Sequence, residues 1–296
     1  MPETKPSAGT APELVPVPDD YARYSKTSAK QYAERYRRSI EEPDAFWTEE
    51  LRRLDWIKTP TEISNVNWDP DNLSIEWFAD GVLNVSYNCI DRHLDERGND
   101  VAIIWEGDNP GFHNSVTYRQ LHNHVCRMAN ELKKIGVTRG DRVTLYMPMI
   151  PEAVYAMLAC TRIGAVHSVV FGGFSPEALA GRIKDCESEF VVTADQGVRG
   201  SKPIPLKENV DKAIEIAGGV KAVLCVRHTG AKVGWVEGRD HWHHDLALEV
   251  DRHVFHALQP RAERQFAVAH GRLETGDGAL GDFGRPHQFR DGFTQR

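Results

Sequence analysis

The chain has 296 residues, 41% hydrophobic and 27% charged, with a formal net charge of −7 and a pI near 6.0. That balance is that of a soluble globular protein and lacks the basic excess of a nucleic-acid binder. No run approaches the roughly 18 apolar residues of a membrane span, and the first twenty residues have no apolar stretch of the secretory type.

Residues 1–28 are rich in Pro, Ser and Thr and read as a disordered leader. The stretch "AKQYAERYRRSIEEPDAFWTEELRRLDW", residues 29–56, predicts two amphipathic helices, with Pro43 in the first turn of the second. An irregular tract over 57–80 follows, with Pro60, Pro70 and short β-like pieces. Trp47, Trp56, Trp68, Trp77 and Trp105 are read as packing anchors.

From residue 99 the pattern alternates. "VAIIWEG" is expected as a buried strand, "SVTYRQLHNHVCRMANELKKIGV" as a helix capped by Gly136, and "DRVTLYMP" as a strand. "PEAVYAMLACTRIGA" predicts a helix from Pro151 to about Gly164, "VHSVVF" a strand and "SPEALAGRIKDC" a helix. "SEFVVTAD", "PLKENVDKAIEIAG" and "KAVLCV" continue as strand, helix and strand. Strands and helices at this spacing imply an α/β fold of βαβ units with a parallel sheet.

Lys, Ile, Ser, Asn, Tyr, Met, Cys and Trp occur throughout residues 1–246 and are absent from 247–296. That bias fits GC-rich DNA read in a shifted frame. The tail is therefore read as a non-homologous, frameshifted extension. Cys89, Cys126, Cys160, Cys186 and Cys225 are widely spaced with no C-x-x-C, which points to reduced thiols in a cytoplasmic protein.

Two stretches could carry chemistry. In "VVFGGFSPEAL", Gly172 and Gly173 lie between Phe171 and Phe174, just before a helix that Ser175 caps and Pro176 opens. A structural turn, a ligand wall and a phosphate cradle all remain open. No cation adjoins the glycines, and Glu177 opposes an anion at that helix end. In "TADQGVRGSKPIPLK", Arg199, Gly200, Ser201 and Lys202 place two cations around two small residues at the ligand side of an α/β sheet. This is either a solvated basic loop or a phosphate site with accessible backbone N–H groups. "HWHHD", residues 241–245, lacks metal-ligand spacing, so no metal site is assigned. His122 and His124 are expected on the surface of their helix. No catalytic constellation is assigned.

Five stretches carry a resemblance: "FWTEELRRLDWIK", "NVSYNCIDRHLDERGNDVAIIWEGD", "LYMPMIPEAVYAMLACTRIGAVHSVVFGGFSPEALAGRI", "GVRGSKPIPLK" and "WVEGRDHWHHDL". In this order, over about residues 30–246, the chain resembles the acetyl-CoA synthetases (acetate–CoA ligases) of the acyl-adenylate-forming superfamily. The resemblance implies a cap region over 29–88 and the first part of the AMP-binding domain over 89–246, an incomplete adenylate-forming large domain. It implies a family reaction in which acetate, ATP and Mg²⁺ give acetyl-AMP and pyrophosphate, and CoA then gives acetyl-CoA and AMP. It implies that Arg199, Gly200, Ser201 and Lys202 bind the nucleotide end of CoA, and that Phe171, Gly172 and Gly173 border the CoA channel. A propionate–CoA ligase fragment and a non-catalytic CoA- or partner-binding fragment are the alternatives. The family's Gly-x-Pro-Lys-Gly loop, which grips the ATP phosphates, does not occur in these 296 residues, so the chain is expected to be inactive alone.

Reading the coding DNA beyond the Leu246 codon in the two other frames is expected to recover that loop. Tail codons in register with a homologous coding sequence would overturn the frameshift.

Overall fold

Ser28 sets where the first long helix begins. The computed structural model describes residues 15–250. Its first unit takes in the described residues up to Leu54 together with Pro60–Asp80. A short helix, α1 (Asp19–Tyr24), lies inside the segment read as a leader; residues 1–14 lie outside the described residues. Helix α2 (Ala29–Glu41) starts with a capping box: the Gln31 N–H donates to Ser28 Oγ at 3.3 Å, and the Ser28 N–H donates to Gln31 Oε1 at 2.8 Å. Pro43 opens α3 (Pro43–Glu50), as its fixed φ favours. Arg35 pairs with Glu50, and Arg38 with Glu49 at 2.8 Å; both guanidiniums lie over the Phe46 ring. The irregular tract forms an antiparallel hairpin, β1 (Ser64–Asn67) with β2 (Ser74–Trp77), and Trp77 meets Trp47 edge-on at 5.8 Å. Trp68 is solvent-exposed and anchors nothing, unlike the expectation for it.

The second unit takes in Asp55–Thr59 and the described residues from Gly81 on. Short helices α4 (Val85–Cys89) and α5 (Leu94–Arg97) precede β3 (Val101–Glu106) and β4 (His113–Thr117). "VAIIWEG" was expected as a buried strand; instead β3 pairs only with β4 in an antiparallel ribbon, with Val101 and Ile104 exposed. A short apolar run does not reveal which sheet it joins. Thr117 caps α6 (Tyr118–Lys134), again with a capping box, through Gln120. Leu121, Val125, Met128 and Leu132 form its buried stripe, and Gly136, just past the end, takes φ +105°.

A parallel five-stranded sheet follows. Its strands are β5 (Arg142–Met147), β6 (Val166–Phe171), β7 (Phe190–Ala194), β10 (Ala222–Val226) and β11 (Asp240–Trp242), with β8 (Gly197–Arg199) and β9 (Lys202–Ile204) set apart from it. Across the sheet the order is β11-β10-β7-β5-β6, all parallel. Helices α7 (Pro151–Ile163), α8 (Pro176–Asp185) and α9 (Leu206–Ala217) make the crossovers. From β5 the chain steps one way to β6, then back past β5 to β7. Right-handed crossovers therefore put α7 and α8 on opposite faces. Accordingly α6 packs on α7, and α8 on α9. Every residue of β7 and β10 is buried, as a strand covered on both faces must be. The expected α/β class and parallel sheet are therefore what the chain forms.

The edge strand β11 and the following α10 (His243–Glu249) are fastened by charge. Lys207, fully buried at the start of α9, donates to Asp211 at 2.8 Å and to the Gly234 carbonyl at 3.1 Å, and lies 2.8 Å from Asp240 Oδ2. Arg239 donates to the same two aspartates. On the other side, His243 Nδ1 meets the buried Glu131 of α6 at 2.6 Å, and burial pushes that carboxyl up, against the pull of His243. The histidine cluster "HWHHD" is thus divided between a strand and a docking helix. Lys134 pairs with Glu249, so helical structure runs three residues past Leu246. The tail from 251 on, including almost all of the segment read as frameshifted, lies outside the described residues.

His122 is half-buried rather than on the open helix surface, whereas His124 is exposed there, as expected. His124 stacks on Tyr155 at 4.7 Å. His122 lies 3.4 Å from Asp91 and 3.5 Å from Cys126 Sγ. Asp91 also receives both Arg162 nitrogens, at 2.7 and 2.6 Å, a bidentate pair tying the segment after α4 to α7. Burial pushes the Asp91 carboxyl up, but hydrogen bonds from Arg162 and His122 outweigh it and hold the group down at about 2.

Two outcomes are expected in denaturant titrations. Lys207→Met should cost about 3–5 kcal/mol, because it leaves buried aspartates short of a cation. For Asp91 the folded pKa lies below the unfolded 3.8. Its contribution, about 2 kcal/mol, is therefore present above pH 4 and lost as pH falls toward 2. Asp91→Asn should be less stable at neutral pH and show a shallower acid limb; an unchanged limb would remove Asp91 as its source.

Candidate functional site

The reversal of strand order at β5 opens a crevice beyond the carboxyl ends of β5, β6 and β7, the position at which open α/β sheets bind ligands. Three loops meet there: Pro148–Ile150 after β5, Gly172–Ser175 after β6, and Asp195–Lys202 after β7.

The β6 turn is fixed from below by Tyr146. Its side chain is buried, and its hydroxyl donates to the Phe174 carbonyl at 2.7 Å while accepting from Asn209 at 3.2 Å. The Phe174 N–H donates to the Phe171 carbonyl at 3.0 Å and closes the turn. Ser175 caps α8 by accepting from the Ala178 N–H at 3.4 Å, with Pro176 in the first turn, as the sequence predicts. Glu177 accepts from its own backbone N–H and from Ser175, which keeps it charged and leaves that helix end hostile to a phosphate. A methyl at Gly172 would stand 3.0 Å from the Met147 carbonyl and 3.4 Å from Leu206; one at Gly173 would stand 2.6 Å from the Phe171 ring. The missing side chains therefore make room for the protein itself. Any wall offered to a ligand is made by the exposed rings of Phe171 and Phe174.

The β7 loop is organised by Asp195, a fully buried carboxylate that sequence reasoning missed. It accepts from the backbone N–H groups of Gln196, His228, Thr229, Gly230 and Ala231, at 2.7 to 3.1 Å. Burial pushes its pKa up, and these donors pull it below its ordinary value. The carboxylate thereby ties the loop after β7 to the loop after β10. Residues 197–204 then form a hairpin rather than a plain loop, β8 (Gly197–Arg199) with β9 (Lys202–Ile204). Gly200 and Ser201 make its two-residue turn, with φ of +55° and +61°, the combination that a tight hairpin of the primed type requires. The Ser201 N–H donates to Asp108 at 3.2 Å, so it is already engaged rather than open to a phosphate.

Arg199 and Lys202 are directly paired across the hairpin, which puts their side chains on one face. Neither makes a salt bridge among the described residues. Arg199 lies over the Phe171 ring at 5.4 Å, so the two stretches singled out from the sequence form one surface. Phe171 meets Phe174 edge-on at 5.8 Å, and Arg182 of α8 lies over Phe174 at 5.2 Å. Arg182 carried no sequence signal, because its partner lies eight residues earlier and outside its helix. Arginines lying over aromatic faces and outside any salt bridge among the described residues suit the phosphates of a nucleotide ligand. No group of three or more potential metal ligands gathers among the described residues.

A second, shallow groove of about 590 Å³ lies at the ends of β10 and β11, lined by Arg227, Gly230, Lys232, Trp235 and Trp242. Its aromatic faces are occupied: the two indoles stack at 4.6 Å, Arg227 covers Trp242 and Lys207 lies over Trp235.

Known proteins match this chain along most of its length. The model of the AMP-binding enzyme family matches residues 90–265, and that of the acetyl-coenzyme A synthetase N-terminus matches residues 32–89. Similar relatives include the acetyl-coenzyme A synthetase of Brucella anthropi, 59% identical over 243 residues, covering 81% of this chain and 37% of the relative. That of Brucella canis is 58% identical over 245 residues, covering 81% and 38%. The chain thus spans less than two fifths of the length of these curated relatives. Among solved structures, acetoacetyl-CoA synthetase from Streptomyces lividans superposes with a TM-score of 0.64 at 24% identity, over 71% of this chain and 32% of that one. This likeness shows a shared fold.

Gly172→Ala is expected to lower stability by about 1–3 kcal/mol in urea titrations, since the new methyl meets the Met147 carbonyl. Unaltered stability would mean that the turn does not need its glycine for packing.

Proposed function

The chain belongs to the AMP-binding enzyme family, and from that premise we propose that it supplies the coenzyme A-facing surface of an ATP-dependent acetate–CoA ligase. The observation that carries this is the convergence of Arg199 and Lys202 with the Phe171–Phe174 turn at the strand-order reversal. The relatives are acetyl-coenzyme A synthetases, and their name supplies the acyl substrate and the coenzyme of this reading. The family reaction runs through acetyl-AMP, with ATP and Mg²⁺, and ends when the CoA thiol takes the acetyl group. This chain's own residues would bind and orient. Arg199 offers a planar fork and Lys202 a point charge to the phosphates of the CoA nucleotide, and both are held on one face by hairpin pairing. Phe171 holds the Arg199 guanidinium beside the wall, 5.4 Å from the ring centre. The Gly172–Gly173 turn lets that wall lie close against β5. Mg²⁺ would accompany ATP; no described residue is assigned to it. Cytoplasmic location, and the absence of nucleic-acid partners, belong to the same proposal.

A non-catalytic CoA-binding chain is the second reading, favoured by the lack of a Gly-x-Pro-Lys-Gly loop in the sequence. The two separate in one assay. The 296-residue chain is expected to show no acetate-dependent ATP–pyrophosphate exchange; measurable exchange would refute the non-catalytic reading. CoA binding is expected under either. Calorimetric titration should show Arg199→Ala and Lys202→Ala each weakening it by about tenfold or more, the worth of a charge-assisted hydrogen bond. Unchanged affinity in both variants would sink the assignment of this face to CoA.

A further inference from the structure

We infer that Arg182 is a specificity-determining residue of this surface: with the Arg199–Lys202 pair it selects ligands that carry two separate phosphate groups. The inference rests on the CoA reading above and deepens it.

The geometry is a ladder of four side chains. Arg182 lies over Phe174 at 5.2 Å, Phe174 meets Phe171 at 5.8 Å with the planes at 75°, and Arg199 lies over Phe171 at 5.4 Å. Because the rings meet edge to face, the guanidiniums rest on two differently oriented planes, and in this inference each cation addresses its own anionic group. Arg182 is also pre-organised. Phe174 is pinned by the Tyr146 hydroxyl at its carbonyl, and α8 is pinned by the Ser175 cap and by Leu179, Ala180 and Ile183 in the core. A stacked guanidinium loses little further freedom when it binds, and its N–H edges remain for bidentate contact. Arg182 is exposed and makes no salt bridge among the described residues; Asp185, one turn on in the same helix, is not paired with it, and Glu177 at the helix start is turned to its own N–H and Ser175.

The hairpin pair is the stronger subsite, with two cations side by side. A ligand with one phosphate cluster goes there and does not sense Arg182. A ligand with two separated clusters, such as the diphosphate and ribose phosphate of CoA, spans both.

The test compares wild type, Arg182→Gln and Lys202→Ala, each as the full 296-residue chain, by calorimetry with CoA, dephospho-CoA and pyrophosphate. Unfolding midpoints serve as controls. Arg182→Gln is expected to weaken CoA about tenfold, to leave dephospho-CoA and pyrophosphate within about twofold, and to leave the midpoint unchanged. Lys202→Ala should weaken all three ligands. If wild type binds CoA and Lys202→Ala weakens it, but Arg182→Gln does not, Arg182 has no such role and the CoA reading stands. Equal weakening of all three ligands by Arg182→Gln also overturns the inference, because it marks a merely structural side chain. If wild type binds no CoA, the CoA reading fails, and the inference with it.

Discussion

The reversal of strand order at β5 is the constraint on which the rest of the molecule depends. A parallel sheet that grew in one direction would present a plain row of loops. Here the chain leaves β5 to one side, forms β6, and returns across β5 to make β7. Crossover handedness then places α7 and α8 on opposite faces. The loops leaving β6 and β7 flank the end of β5 from its two sides and meet over it, Arg199 lying on Phe171. Every candidate functional group sits at the rim of the crevice there. Met147 and Pro148 form its floor, and the glycine turn and the hairpin both rest on them: a Cβ at Gly172 would touch the Met147 carbonyl, and one at Gly197 would stand 3.2 Å from Pro148.

Two buried polar groups convert that crevice into fixed geometry. Asp195 sits where β7 ends and gathers five backbone donors from two loops. An apolar residue there would leave those N–H groups without their acceptor, at a cost of about 1–3 kcal/mol for each one that water does not reach. Lys207 begins the next helix and holds the edge strand β11 through Asp240. Buried charges of this kind add little net stability over apolar packing. What they add is position: they specify which loop conformations and which edge pairing are allowed. Between Asp195 and Lys207 lies the hairpin of Arg199 and Lys202, anchored at both ends.

Local signals made much of this legible in the sequence. Pro151 and Pro176 open helices, Ser175 caps one, and Gly136 and Gly164 close two at positive φ. These signals are contained within a few residues, so a chain read alone reveals them. The β3–β4 ribbon was not legible. "VAIIWEG" is as apolar as a core strand, and only its partner, "HNSVT", shows that it lies outside the sheet. The candidate site divides the same way. Arg199 and Lys202 stood out by spacing, and Phe171 by its glycines. Asp108, Asp195 and Arg182 did not, because each is defined by a partner that only the folded chain brings near. The glycine pair shows the sharper limit: the missing side chains were visible, but not what fills their place, which is the chain's own Met147 carbonyl and Phe171 ring.

The choice of aromatic rings, rather than carboxylates, to hold the cations bears directly on binding. An arginine can be fixed by an ion pair, as Arg162 is by Asp91, but the pair neutralises it and occupies its N–H fork. A phenyl face fixes the same group from one side, leaving its charge and donors intact. Arg35 and Arg38 combine the two arrangements on Phe46, and Arg97 does so on Tyr118, but around the crevice the arrangements fall in different places. Arg162 and Arg239, which join elements of the scaffold, are paired with aspartates. Arg199 and Arg182, at the crevice, lie on phenylalanines. Such sorting is what a surface needs if it is to present positive charge without spending it internally, and it ties the function of the crevice to two rings more closely than to the glycines between them.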